Sequence, residues 1–426
     1  GPVGASLGHA QQLLVGDARG RRGVVGHDVL LGAVLGVATA LALHVPAQVP
    51  VLAVRADPEH LDLALPLDPL ASDPAVLYHP TVPDPALVRE LRQVLAGRRA
   101  DVVHAHNWIG LSAGPAARAV GIPFVWSLHD YAGTCAVRTY ERPDGATCTG
   151  PELRDCIRCA SAKYGRLHGT VATVGLRSSR THLARADVVV ANSDAVAATL
   201  RGSVPPQRLR VISPFVHPGS IDVVPPSFLP DREFIVFVGA LGEHKGVQVL
   251  LDAYCRLRDI RTRTGRATPT LLLVGPRHDA MPAVDAAKAD VDDEQCIVVR
   301  HDVDHDEVLR TMARATALVV PSLWPEPFGL VAAEALTVGT PVIASAIGGL
   351  RALLSDGEYG LLVTPGDVEQ LVAALDRILD DPTLRHELGT KGRERAQELD
   401  ATAAFELCYD ELLTGTGGGH SAPPTG

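Results

Sequence analysis

Short runs of β-branched and aliphatic residues recur along the chain, and between them apolar positions fall at helical spacing. The runs are DVVHAH (101–106), PFVWSLHD (123–130), ADVVVANS (186–193), RLRVIS (208–213), FIVFVGA (234–240), TLLLVGP (270–276), CIVVR (296–300), ALVVPS (317–322) and PVIAS (341–345). Helical spacing marks PALVRELRQVLAGRR (85–99), VQVLLDAYCRLRDI (247–260) and DHDEVLRTMARA (304–315). Strands that are apolar on both faces and alternate with helices predict parallel βαβ units, the doubly wound α/β class. Further on, LLVTPGDVEQLVAALDRILDD (361–381) reads as a loop and then an amphipathic helix, and RERAQELDATAAFELCYDELL (393–413) as at least one more helix.

These runs are too many for one sheet, and 426 residues exceed the length at which a single core stops growing. The Pro-rich segment PFVHPGSIDVVPPSFLPD (214–231) falls near the middle and reads as a linker. The expected organisation is an N-terminal Rossmann-like domain over 1–213, with a Cys-rich insertion at 131–165, and a C-terminal Rossmann-like domain over 232–392. A C-terminal helix over 393–413 and a tail over 414–426 complete it. Two such domains facing across a cleft direct the ends of both sheets toward one crevice.

Charge and composition narrow the partners. A formal charge of −10 disfavours nucleic acid as a ligand, a local basic patch aside, and gives no attraction to an acidic membrane. Aromatic residues make up 4% of the chain, too few for an all-β sandwich built on aromatic packing. The uncharged stretch from Val29 to Val54 is apolar without interruption only to Leu43, short of the roughly 20 residues of a spanning helix. The expectation is a soluble, cytoplasmic protein, with membrane association unsupported.

The chemistry concentrates in EPFGLVAAE. Pro327 suits the first turn of a helix, where its missing N–H would be unpaired anyway. Gly329 lets a ligand approach the backbone, and a helix starting there offers free N–H groups and a positive dipole end to a phosphate. Glu326, ahead of that turn, and Glu334, further along the helix, are acceptor-only groups suited to sugar and ribose hydroxyls. Two glutamates eight apart also occur on ordinary surface helices. Here the strand ALVVPS before them, and the helix, strand and GG turn of EALTVGTPVIASAIGGL after them, favour a site.

The segment Pro321–Gly349 resembles the signature of family-4 retaining glycosyltransferases, which have the GT-B fold and use nucleotide-sugar donors. The resemblance implies that Glu326 contacts the donor sugar, that Glu334 holds the ribose, and that the main chain at Phe328, Gly329 and Leu330 meets the diphosphate. FIVFVGALGEHKGVQVLLDAY (234–254) resembles the family's strand, G-R-L-x-x-x-K-G loop and helix. It implies Gly239 as a donor-binding residue and Lys245 as the diphosphate and catalytic cation. Ala240 stands where many members have arginine, so that either Arg277 or a nearby residue compensates, or donor affinity is lower. The loop from Arg300 to Val303 falls where the family seats the base. Clear likeness spans 101–410. Over 1–100 it is weak, with GPVGASLGHAQQLL standing for the Gly-rich loop and GHDV (26–29) for G-H-x-V.

In the N-terminal half, DVVHAHNWIG and PFVWSLHDY resemble the family strands ending in H-x-H and L-H-D, and imply His104, His106 and His129 on the acceptor side. Strand alternation gives His104 and His106 one facing, with His106 nearer the strand's exit as the catalytic candidate. The function implied is transfer of a hexose from a nucleoside diphosphate sugar to an acceptor hydroxyl, on a glycan, lipid or small molecule, with retention and no catalytic cofactor. A nucleotide-sugar-binding protein without transferase activity, or a GT-B epimerase or phosphorylase, are the rival readings. Separately, Cys135, Cys148, Cys156 and Cys159 end in C-x2-C within 25 residues. That pattern admits a structural zinc, two disulfides or free thiols, with zinc the leading expectation.

Overall fold

The computed structural model describes residues 12–16, 51–55, 81–97, 100–214, 216, 224–291, 293, 295–399 and 401–414. Its contacts divide the chain into two compact units, 1–215 with 401–426, and 216–400.

The first unit carries strands β1 (Gln12–Gly16), β2 (Val51–Arg55), β3 (Val102–His106), β4 (Phe124–Leu128), β5 (Val188–Ala191) and β6 (Leu209–Val211), in the order β2-β1-β3-β4-β5-β6. From β3 to β6 the strands are parallel and follow one another in sequence. Toward the other edge, β1 pairs antiparallel with both β3 and β2, a common ending for an otherwise parallel sheet. The strand at Gln12–Gly16 begins where the sequence implied a Gly-rich loop. GHDV and most of the 29–54 stretch lie outside the described residues.

Alternation along β3, β4 and β5 separates two interiors. Val103, Ala105, Phe124, Trp126, Val189 and Ala191 face one core. Val102, Val125, Val188 and Val190 face the other, which is closed by Phe405, Cys408 and Tyr409 of the helix Thr402–Thr414. The expected single C-terminal helix over 393–413 is thus two. One is the end of the helix Pro382–Glu398, in the second unit, and the other is Thr402–Thr414, in the first. Periodicity alone could not show that break.

In the second unit the strands are β7 (Phe234–Val238), β8 (Thr270–Val274), β9 (Ile297–Arg300), β10 (Ala317–Val320), β11 (Val342–Ser345) and β12 (Leu361–Val363). All pairings are parallel, in the order β12-β11-β10-β7-β8-β9. Strand β12 corrects the reading of 361–363 as loop: three residues are too few for periodicity to register. Ile235 and Phe237 pack on one side of this sheet, and Phe234 and Val236 on the other. Burial on both faces explains the unbroken apolar runs. Among the described residues no helix is long and apolar enough to cross a membrane.

Candidate active site

The order of the second sheet reverses between β7 and β10, and an open α/β sheet offers its crevice at the carboxyl ends of strands flanking such a point. The turn after β7 carries Gly239 to Lys245, and the segment after β10 carries Pro321 to Gly329. Topology therefore unites Lys245 and Glu326, 81 positions apart: Lys245 Nζ donates to Glu326 Oε1 at 2.6 Å. The same carboxylate oxygen accepts from Ser322 Oγ at 2.8 Å and Trp324 Nε1 at 3.0 Å. Lys245 Nζ also stands 5.0 Å from the centroid of the Trp324 ring. Glu326 is buried, and Lys245 is held in place although its side chain remains one-quarter exposed.

Two close approaches hold this geometry. A Cβ on Gly246 would lie 1.9 Å from the Pro321 carbonyl oxygen, so the turn after Lys245 can rest against the β10 segment only with glycine there. Gly348, at φ +57°, sits over the Glu326 backbone, where a Cβ would fall 2.3 Å from Glu326 O, and Gly349 N donates to that carbonyl at 2.6 Å. The GG turn after β11 is a clamp on the carboxylate's main chain.

The helix Leu330–Val338 starts from Gly329, with Phe328 buried behind it and Leu330 exposed. Glu334 lies one turn in. Burial raises its carboxyl above the ordinary range, and His305 Nε2, 3.9 Å from Oε1, opposes the shift. A carboxylate so placed gains by accepting hydroxyl hydrogen bonds. Val303 packs against the core beyond the end of β9, after Asp302, which holds φ +55°. Next to Ala240, an isolated parallel bridge joins Leu241 to Arg277, whose side chain is exposed.

In the first unit, His104 and His106 share a face of β3 and their rings stack at 4.5 Å. His104 points inward. Its Nδ1 meets Tyr409 Oη and its Nε2 meets Ser127 Oγ, both at 2.7 Å, and burial lowers its pKa to about 3. Both ring nitrogens are engaged by the protein, so His104 supports rather than contacts. His106, nearer the strand's exit, pairs its Nδ1 with His129 Nε2 at 2.6 Å, and burial drives its pKa well below the usual histidine value. Asn107, at φ +47°, accepts the His129 backbone N–H on Oδ1 at 2.8 Å, while Asn192 Nδ2 donates to the His129 carbonyl at 2.8 Å. His106 and His129 line a small pocket with Ser127, Asn192, Ser213 and Phe405.

Sequence reasoning missed Ser322 and Trp324, although both lie inside the segment Pro321–Gly349, and Asn107, whose position next to the H-x-H pair was the available signal. Tyr409, 305 positions from His104, had none.

The zinc expectation is overturned. Among the described residues no group of three or more His, Cys, Asp or Glu is placed to hold a metal ion. Cys135, Cys148, Cys156 and Cys159 are free thiols. Burial pushes the Cys135 and Cys159 thiols up and that of Cys156 to about 11. Cys148 Sγ is turned to the Gly150 carbonyl at 3.3 Å. A C-x2-C on a helix flanked by two loop thiols matches a zinc site in spacing, yet here the segment is held by packing and backbone hydrogen bonds.

A family model described as "Glycosyl transferases group 1" matches residues 224–395, and one described as "Glycosyltransferase Family 4" matches residues 37–219. The D-inositol 3-phosphate glycosyltransferase of Frankia alni is 32% identical over 314 residues, covering 71% of this chain and 72% of that protein. The glycogen synthase of Mycobacterium tuberculosis H37Rv is 38% identical over 161 residues, 38% of this chain and 37% of that protein. Sucrose-phosphate synthase from Thermosynechococcus elongatus superposes with a TM-score of 0.58 at 25% identity, covering 78% of each chain. Anabaena Alr3699/HepE, solved in complex with UDP-glucose, gives 0.56 at 18% identity over 77% of this chain and 82% of that one.

Proposed function

We infer the roles of individual residues from one premise: this chain belongs to the family-4, group 1 glycosyltransferases, retaining enzymes of the GT-B fold that use nucleotide-sugar donors. It transfers a hexose from a nucleoside diphosphate sugar to an acceptor hydroxyl with retention at the anomeric carbon. The rival readings, a binding protein without turnover and an epimerase or phosphorylase, find no counterpart among these relatives.

The observation that carries the residue assignment is the Lys245–Glu326 pair at the switch point of the second sheet. The diphosphate lies against the N-terminal turn of the helix Leu330–Val338, where the main chain at Phe328, Gly329 and Leu330 and the Lys245 ammonium neutralise the departing charge. Released from Lys245, the Glu326 carboxylate accepts donor-sugar hydroxyls while Ser322 and Trp324 keep it oriented. Glu334 takes the ribose hydroxyls, Gly239 gives backbone access, and the loop ending at Val303 borders the base. Arg277, brought alongside Leu241, supplies the second cation that Ala240 cannot.

On the acceptor side, His106 orients the hydroxyl and His129 tunes it, with His104 fixing the ring of His106 from behind. A neutral imidazole suits this task, since it can accept a hydrogen bond from a hydroxyl.

We take uridine as the first base to test, because HepE is described with UDP and with UDP-glucose. The experiment is calorimetric titration with UDP, GDP, ADP and TDP, followed by the corresponding glucose conjugates. Saturable binding of one nucleoside diphosphate, weakened in Lys245→Ala, supports the assignment. Binding that ignores Lys245 removes it.

A further inference from the structure

The first unit contains a second, larger cavity that the donor and histidine chemistry does not use. Its empty space, open mouth and adjoining solvent included, is about 610 Å³. Trp108, Trp126, Leu111, Leu176 and Leu183 are among the residues that line it.

Three features make it a built site. Its charge is cancelled: Arg138, on the lining, is ion-paired with the Asp130 carboxylate. That carboxylate also accepts from the Ala132 N–H at 2.7 Å, so a ligand meets no net charge there. The wall is pinned open as well. Lys163 Nζ donates to the Val137 carbonyl at 3.3 Å, and Tyr164 Oη to the Ala136 carbonyl at 3.5 Å, tying the loop to the helix Leu153–Tyr164.

Finally, it backs onto the histidine pocket. Leu128 lines both, and Asn107, which lines the cavity, directly follows His106. The Asn107 carbonyl accepts from Trp126 Nε1 at 2.7 Å, while its side chain holds the His129 N–H. The indole polar atom is thereby satisfied, leaving an apolar ring surface to the cavity.

We propose that this cavity binds a neutral alkyl or aryl group carried by the acceptor, so that the acceptor is an amphipathic alcohol or glycoside. The proposal rests on the assignment of the His106–His129 side to the acceptor, and extends it from a hydroxyl to the body that presents it. A free glycan or a phosphorylated polyol has nothing to bury against two tryptophans and three leucines, and a charged group would lack a free partner at the Arg138–Asp130 pair.

The test uses the full chain and its own indoles, two of the three tryptophans being on the cavity wall. Methyl, hexyl and octyl β-D-glucopyranosides, below micelle concentrations, are titrated while tryptophan emission is followed, and UDP binding is measured in parallel. Octyl glucoside is expected to bind saturably, with affinity rising roughly fourfold per added methylene from hexyl to octyl, and methyl glucoside to leave emission unmoved. Ala172→Phe, which places a ring in the cavity from a fully buried position, weakens octyl glucoside at least tenfold with UDP affinity retained. Leu111→Trp is the second filling variant should the first fail to fold.

Absence of a chain-length dependence in the unaltered protein, or octyl binding indifferent to a folded filling variant, overturns the proposal. Loss of UDP binding in the unaltered protein would instead strike the donor assignment and leave the cavity result standing by itself.

Discussion

Glu326→Gln separates a catalytic carboxylate from a structural one, because the two roles predict opposite signs for nucleotide affinity. Glutamine keeps a carbonyl oxygen where Ser322 and Trp324 donate, at 2.8 and 3.0 Å, so the local fold has its acceptor still. What disappears is the negative charge 2.6 Å from Lys245 Nζ. In the ligand-free enzyme the incoming diphosphate must draw Lys245 from that pair. The Glu326 side chain is 10% exposed and that of Lys245 25%. The pair thus falls between an exposed one, worth under about 1 kcal/mol, and a fully buried one, whose disruption costs about 3–5 kcal/mol. Taking about 1–2 kcal/mol, UDP should bind roughly 5- to 30-fold more tightly to Glu326→Gln. Turnover should move the other way, falling about 100- to 1,000-fold, as for loss of one preorganised electrostatic contact. Calorimetry gives the first quantity and acceptor-dependent release of nucleoside diphosphate the second. If affinity and turnover decline together, Glu326 holds the loop together and does not act on the donor.

Further expectations follow from the same contacts. Lys245→Ala should weaken UDP at least thirtyfold, and Arg277→Ala several-fold; an unchanged titration in either variant excludes that residue as a diphosphate cation. Gly348→Ala should destabilise the protein by about 2 kcal/mol or more, since φ +57° and the Glu326 backbone leave no room for a Cβ, and denaturant melts indistinguishable from the parent would contradict the clamp. His104, held at about 3 against an unfolded value of 6.5, is neutral when folded. The unfolded chain therefore takes up the extra proton between those values, and stability is lost as pH falls below 6.5. The His104 share amounts to about 2 kcal/mol between pH 7 and 5. His104→Gln should flatten that slope in denaturant melts, and an identical slope would show that His104 does not hold the proton difference.

The sequence by itself settled the alternation of strands and helices, because burial on both faces forces an unbroken apolar run and a helix forces its own period. It also marked the candidate donor motif, where Pro327, Gly329 and Glu334 stand at set distances around one helix start. Short-range rules did not reach β12, whose three residues are too few to show a period, or the break before Thr402, where both sides read as helix. Nor could spacing distinguish a zinc site from four free, half-buried thiols. Only the tertiary structure decided which atoms meet. It put Lys245 against Glu326 at the sheet's switch point, seated Tyr409 on His104 from the far end of the chain, and walled a cavity with Trp108 and Trp126. Those meetings depend on strand order and on helices returning over distant strands. Such packing energies couple residues remote in sequence, and no local pattern records them.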